Sequence, residues 1–324
     1  MNIVRRLFFA FATALCCVAP SYAEDAPSSY PNRPIRIIAP FPPGTGIDIV
    51  ARIVGEGLAQ HYKQPVVVEN RAGAGGNVGA EVAKNSVADG YTLLVISLSH
   101  VIGQTLYRDV KYDLVRDFVP LSIVGSNPIV LVVNRTVPVN SVADLIALAK
   151  GQPGSLNFAS TGNGTSPHLS GEMFNQLAGV KTTHVPYRGG DALTDLVAGR
   201  TQFMFATLPS AIAFIKSGQL KALAVTTRER HPTLASVPTM NETLPGFDVP
   251  VWLGIVVRAG TPQRIASNLH SALVSILKKP EIRDKLHAQG IDAQTNSQEE
   301  FKQLIRSDID KWEKVIRASD TRIN

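Results

Sequence analysis

The sequence predicts two α/β units of one plan that face each other across a cleft. Three observations lead there. Short apolar runs alternate with amphipathic stretches from Ile35 to Thr226, the strand, loop and helix repeat of a layered domain with crossover helices. Several of the loops that end these runs are rich in Gly, Pro, Ser and Thr and open directly into a helix. An uninterrupted run from Ile129 to Val133 carries the chain out of the first unit, and a late run from Val249 to Val257 brings it back.

Pro31 to Ala39 reads as the first strand, with Ile35, Ile37 and Ile38 buried. The strand runs out at Pro40, and a Pro- and Gly-rich loop follows. Ile49/Val50, Ile53/Val54 and Leu58 then mark one face of a helix that closes near Gln60. Pro65 to Glu69 is a second strand, and its continuous Val66-Val67-Val68 suits a parallel strand covered on both faces. A glycine-rich turn from Asn70 to Asn77 leads to a helix with Val78, Val82 and Ala83. Asp89-Gly90 turns the chain into a third strand, Tyr91 to Ile96, with Ser97, Ser99 and His100 at its end. Phe118 to Val124 is a further apolar run.

In the second unit, Ser141 and Asp144 form a capping box for a helix that buries Leu145 and Leu148. Leu156 to Ala159 is a strand that ends at Ser160 to Ser166. A helix with His168, Leu169, Met173, Phe174 and Leu177 follows. Thr183 to Val185, Phe203 to Ala206 and Leu220 to Thr226 are strands. Between them lie the Tyr187 to Gly190 loop, a helix from Asp191 to Ala198 stopped by Gly199, and a helix capped by Ser210. After the return, Thr261-Pro262 starts a helix with proline first, and Pro280 opens a shorter one. Ser297 and Glu300 cap the last helix. Its Phe301, Leu304, Ile305, Ile309, Trp312 and Ile316 pack on the outside of the first unit. The expected divisions are 1–23 for a signal peptide, 24–127 and 239–324 for the first domain, and 128–238 for the second.

The N-terminus supports the first of these divisions. Arg5 and Arg6, an apolar run from Leu7 to Val18, and small residues at Ser21-Tyr22-Ala23 make a secretory signal cleaved near Ala23; the alternative is a retained anchor. Cys16 and Cys17, the two cysteines of the chain, both lie inside it. Leu15 stands where a lipoprotein signal needs a small residue. The exported chain therefore has no thiol and no disulfide, which fits a bacterial periplasm. The net charge of +6 is spread among both signs and not clustered, so nucleic acid is not expected as a partner.

Enzyme motifs are weak. Gly73-Ala74-Gly75-Gly76-Asn77-Val78 starts like a dinucleotide loop but ends in valine at the last required glycine. There is no phosphate loop and no Gly-x-Ser-x-Gly elbow, and the seven histidines have no close metal-ligand spacing. No cofactor or metal is expected. His168 reads either as a base beside Ser160 or Ser166 or as a local hydrogen-bonding group.

Anion-binding features are stronger. Pro43, Gly44, Thr45, Gly46, Ile47 and Asp48 place backbone N–H groups at a helix start. Thr161, Gly162, Asn163, Gly164, Thr165 and Ser166 do the same in the second unit. Two such loops in two domains suit a small carboxylate between them. Asp48 either caps its own helix or meets a ligand ammonium. Arg188 either pairs with a second carboxylate or fixes its own loop. Phe41 covers the ligand or is core, and Arg71 is structural.

The combination of segments resembles one family. Pro40 to Arg52, Val68 to Gly79, Asp89-Gly90-Tyr91-Thr92-Leu93-Leu94, Tyr112-Asp113 with Asp117-Phe118, and Ala159 to Glu172 carry the likeness. So do His184 to Gly189, Ala222 to Val225, Val237-Pro238-Thr239 and Gly260-Thr261-Pro262. Together they resemble the Bug proteins, abundant in Bordetella, the periplasmic receptors of tripartite tricarboxylate transporters. The resemblance implies a type II periplasmic binding fold and a carboxylate held by backbone and hydroxyl donors from both domains, often through water. Those roles fall on Pro43 to Ile47 and Thr161 to Thr165. The rest of the ligand would meet Phe41, the Ser97, Ser99 and His100 loop, Tyr187, Arg188 and Gly189, and Ala206-Thr207. Two departures stand out. Gly44-Thr45-Gly46-Ile47 replaces Gly-Gly followed by Ser or Thr, and Ala88 replaces a proline.

The implied function is capture of an organic acid or amino acid by a monomer and delivery to membrane permease subunits. A sensor subunit for a membrane signalling protein needs the same cleft. A secreted α/β hydrolase needs a nucleophile and base that the sequence does not visibly arrange.

Overall fold

The computed structural model describes residues 30–187, 191–249 and 251–318. The expected signal peptide, Arg188 and Gly189 lie outside the described residues. Two five-stranded mixed sheets organise the chain. The first holds β1 (Ile35–Ala39), β2 (Val66–Asn70), β3 (Thr92–Ser97), β4 (Phe118–Asn127) and β10 (Val251–Arg258), in the order β2-β1-β3-β10-β4. The second holds β5 (Ile129–Asn134), β6 (Asn157–Ser160), β7 (Thr183–Pro186), β8 (Phe203–Thr207) and β9 (Leu220–Val225), in the order β7-β6-β8-β5-β9.

The two orders are the same order. In each sheet a central strand pairs in parallel with two neighbours, β1 with β2 and β3, and β6 with β7 and β8. In each sheet one strand arrives from the other domain and runs antiparallel between the third and fourth: β10 in the first, β5 in the second. The two crossings are bonded together. Asn127 pairs with Val251, Thr226 donates its N–H to Ile129, and Val249 donates its N–H to Thr226, whose hydroxyl donates back to Val249.

The helices are α1 (Gly46–Tyr62), α2 (Asn77–Lys84), α3 (Leu98–Leu106), α4 (Val142–Gly151), α5 (Ser166–Ala178), α6 (Asp191–Val197), α7 (Leu208–Lys216), α8 (Gln263–Leu277), α9 (Pro280–Ala288) and α10 (Gln298–Ala318). Strand alternation sends Ile35, Ile37, Leu93, Val95, Leu253 and Ile255 to one face of the first sheet, against Val50, Val54 and Leu58 of α1 and Leu269, Leu273 and Ile276 of α8. Ile38, Leu94, Ile96 and Val256 go to the other face, under Val101 and Ile102 of α3 and Phe301 and Ile305 of α10. Each such side chain contributes about 1.5–3 kcal/mol when fully buried. Among the described residues no helix is long and apolar enough to cross a membrane.

The structure departs from sequence expectation in β2, on α2 and α5, and at the starts of α3, α4, α7 and α8. β2 is an edge strand and Val67 is 55% exposed, so the valine run is covered on one side only. Val78 and Leu177 are also exposed. Ser97, Ser99 and His100 do not form a loop: Ser97 caps α3, and His100 completes its capping box in place of the usual Glu or Gln. Thr207, not Ser210, precedes α7, and Pro262 stands one residue before α8 rather than first in it. Ser141 accepts the Asp144 N–H, but the Asp144 carboxylate reaches the N–H of Asn140, one residue outside the expected box. The Ser297–Glu300 box forms as expected.

Helix α10 sits where it does because β10 offers no side chain beneath it. A Cβ at Gly254 would stand 2.1 Å from Phe301 Cζ and 2.6 Å from Cε1, and the Phe301 ring meets Trp252 edge-on at 5.3 Å. Gly254→Ala is expected to cost about 1–3 kcal/mol by overpacking. Urea unfolding should show a lower midpoint at unchanged slope.

Candidate functional site

Helices α1, α3, α5 and α7 start just past the C-terminal ends of β1, β3, β6 and β8, two from each domain. Their first turns meet around one cavity of about 40 Å³. Thr45, Gly46 and Ile47 line it from α1, Ser97 and Ser99 from α3, Ser166 and Pro167 from α5, and Thr207 and Ser210 from α7. Thr161 adds the loop before α5. Phe41, Asn127, Val251 and Leu253 complete the wall. No Lys or Arg is among these residues. Among the described residues, positive charge at the cavity comes from four helix dipoles and the N–H groups at their ends.

The α1 end is open to a ligand. Gly46 and Ile47 have no acceptor among the described residues, because the carbonyl of Pro42 is taken by the N–H and the hydroxyl of Thr45. The α5 end is differently used. Ser166 donates its N–H to Ser99 Oγ at 3.1 Å, and Pro167 has no N–H to give.

The two loops singled out in the sequence are one turn built twice. Thr45 caps α1 at φ −79°, ψ 159°, and Thr165 caps α5 at φ −80°, ψ 158°. Each hydroxyl donates to the carbonyl three residues back, at 2.8 Å, and accepts the N–H three residues on. Gly44 and Gly164 both take positive φ, 79° and 75°, which glycine alone adopts readily. Asp48 accepts the Gly44 N–H at 2.9 Å, and His168 Nδ1 accepts the Gly164 N–H at 3.1 Å. The hydroxyl found at position 45 rather than near 47 is thus the cap of α1.

Asp48 is 3% exposed and fully engaged. Gly44, the Asn70 amide and Arg52 all donate to its carboxylate. Burial alone would raise its pKa; the donors from Arg52, Asn70 and Gly44 together hold it below the usual range. This geometry favours the capping role over contact with a ligand ammonium. Thr165 and His168 are committed within their turn in the same way. Ala206 is buried in β8 and is not among the cavity residues. Pro43 and Gly44, with Thr45, line an adjoining space of about 200 Å³ beside Leu193, Met204 and Phe214. Gly162, Asn163 and Tyr187 line a wider outer groove of about 790 Å³ with Phe41 and the Ala72 to Gly76 turn. Tyr187 donates its hydroxyl to Asp195. Arg71 pairs with Glu69. Asn127, Pro167, Val251 and Leu253 were not singled out from sequence; strand ends from distant segments carry no motif.

The domains are tied across the cleft. Ser99 and Ser166 hydroxyls lie 3.2 Å apart, and Tyr107 donates to the carbonyl of Asn163 at 2.6 Å. Ser160 Oγ bonds His184 Nε2 at 2.7 Å, so its histidine is not His168. Ser160 is fully buried and also accepts the Gly162 N–H, which fixes the loop. His184 stacks on His168 with centroids 4.0 Å apart. Among the described residues no group of three His, Cys, Asp or Glu side chains is placed to hold a metal.

The family model described as "Tripartite tricarboxylate transporter family receptor" matches residues 50–321. The chain is 34% identical to BugT of Bordetella pertussis over 327 residues, covering 100% of each chain. It is 36% identical over 318 residues to a protein encoded between tcbD and tcbE in Pseudomonas sp. strain P51, covering 97% of this chain and 94% of that one. Among solved structures it is similar to a periplasmic transporter (34% identity, TM-score 0.88, 91% of this chain and 100% of that one). It is also similar to R. palustris Rpa4515 with adipate (32%, TM-score 0.87, 90% and 99%) and to MatC from Rhodopseudomonas palustris with bound malate (30%, TM-score 0.84, 89% and 100%). The two mixed-sheet domains are consistent with the type II periplasmic binding fold.

Two buried histidines, His100 and His168, and the half-buried His184 pack against the loops of this site and make the fold sensitive to acid. Burial pushes His100 and His168 down to about 4; burial and then the neighbouring His168 push His184 down to about 3. In the unfolded chain each takes a proton near the ordinary value of 6.5. The unfolded state therefore binds more protons between pH about 6.5 and about 4, and stability must fall as pH falls through that window. Thermal unfolding followed from pH 7 to pH 4.5 should show this decline. His168→Asn, whose amide oxygen can still accept the Gly164 N–H, should make it shallower.

Proposed function

This chain belongs to the tripartite tricarboxylate transporter receptor family, and we propose that it holds one carboxylate of its ligand on the first turn of α1, inside the cavity between its domains. It is a periplasmic solute receptor that binds a small carboxylate and delivers it to a transporter of the tripartite tricarboxylate type. The observation that carries the site is the meeting of four helix N-termini on one cavity with no Lys or Arg among its described residues. Anions are favoured at such ends, and N–H donors to a carboxylate make strong charge-assisted bonds. Gly46 and Ile47 give the N–H groups, Thr161 gives a hydroxyl from the other domain, and Thr207 with Ser210 closes the remaining side. The related structures with adipate and malate support a small organic acid as the ligand class.

The cavity is small beside such an acid, so the rest of the ligand extends into the adjoining space or the outer groove, and the two domains separate to admit it. Binding needs no covalent step. Ser160 and His184 serve the loop rather than a substrate. The exported protein acts as a monomer after cleavage near Ala23, with permease subunits as its membrane partners.

The test uses the duplicated turn. Pro167 already occupies in α5 the position that Ile47 occupies in α1, so Ile47→Pro removes one N–H in a backbone that accepts proline. A calorimetric screen of C3 to C6 mono- and dicarboxylates should find at least one ligand for the unaltered protein. Ile47→Pro and Thr161→Val should each weaken it by about 1–3 kcal/mol. Unchanged affinity in a folded Ile47→Pro protein would remove α1 from the site.

A further inference from the structure

We propose that Asn127 selects acids that carry a hydroxyl on the carbon next to the bound carboxylate. The inference rests on the carboxylate reading and adds what the ligand must bear beyond its charge. Asn127 ends β4, pairs with Val251 where the chain crosses between domains, and lines the central cavity. It is 3% exposed. Its Nδ2 donates to the carbonyl of Pro128 at 3.2 Å. A carbonyl only accepts, so the amide cannot turn over, and Oδ1 is fixed as the other end. Among the described residues nothing donates to that oxygen. A buried acceptor without a partner is rare enough in a folded protein to need a reason.

The surroundings supply one. The other polar side chains at the cavity wall are seven Ser and Thr hydroxyls, and Gly46 and Ile47 add free N–H groups. Asn127 Oδ1 is the one buried polar side-chain atom among these residues with no partner. An acid that satisfies the whole wall gives its carboxylate to the donors and a donor of its own to Asn127. A cavity of about 40 Å³ holds a carboxylate and roughly one or two further atoms. The ligand donor therefore sits on the adjacent carbon. A hydroxyl fits and an ammonium does not. Among the described residues no Asp or Glu lines the cavity, and Asp48, beside it, is taken up by Gly44, Asn70 and Arg52. Four positive helix ends also oppose a cation there.

Calorimetry on the purified protein tests this with two series: succinate, 2-fluorosuccinate, malate and aspartate; and propionate, 2-fluoropropionate, lactate and alanine. Fluorine is close to hydroxyl in size but donates nothing. In at least one series the hydroxy acid should bind about tenfold tighter than the unsubstituted and fluoro acids, and tighter than the amino acid. In Asn127→Leu and Asn127→Ala the ratio of hydroxy-acid to unsubstituted-acid affinity should fall to within about threefold, whatever the change in affinity common to both acids. If neither variant folds, the series on the unaltered protein decides alone. Equal binding of hydroxy and fluoro acids, tightest binding of an amino acid, or a preference that survives in a folded variant would overturn the proposal and leave the carboxylate site standing. Failure of every acid in both series to bind would overturn the carboxylate reading and this inference with it.

Discussion

A carboxylate leaves water only if something replaces its hydration, and at the proposed site that replacement comes from helix ends, with no Lys or Arg among the described residues of the cavity wall. Four helices begin at one place, and the cavity between them is walled by their first turns. The demand reaches far into the fold. Each helix must follow a strand whose C-terminal end points at the cleft, so β1, β3, β6 and β8 must run the same way within their sheets. The strands that arrive antiparallel, β5 and β10, send no helix start to the cavity. The sheet order repeated in both domains thus serves one electrostatic purpose.

The duplicated turn shows how a shared backbone is put to unlike uses. Thr45 and Thr165 cap their helices in the same geometry, yet one first turn keeps two free N–H groups and the other keeps none. Pro167 and the Ser99 oxygen account for the difference. The α5 turn is thereby given to holding the domains together, and the α1 turn keeps the free N–H groups that the proposed site uses. Asp48 and His168 occupy equivalent positions with different chemistry: a carboxylate saturated by donors in one domain, and a neutral, buried imidazole in the other.

Much of this was legible in the sequence because local rules fixed it. Strand and helix periodicity, the Ser297–Glu300 box and the glycine-rich loops all act within a few residues. What was not legible depends on the rest of the chain. The valines of β2 look like those of a central strand, and only the sheet order makes Val67 an exposed edge residue. Helix α3 was missed because Ser-Leu-Ser-His reads as a loop until His100 is seen to bond back to the N–H of Ser97. Asp48 carried two readings until Asn70, 22 residues on, was found beside it. Asn127 stands in no motif; its proposed role rests on Pro128 holding one end of its amide while the other end is buried without a donor.

The paired crossing between the domains has a mechanical consequence. The outgoing segment at Asn127 to Ile129 and the returning one at Thr226 to Val251 are laced by hydrogen bonds into a two-stranded ribbon. A single strand can twist about its own length; a ribbon resists that and bends across its width. The domains then swing on one axis, like a door on a leaf hinge. Groups near that axis travel least. Asn127 stands on that ribbon, while Thr161 and Asn163 stand off it, on the loop before α5. At the proposed site Asn127 then meets the ligand at the spine of the hinge, and the Thr161 loop faces it from the edge that swings.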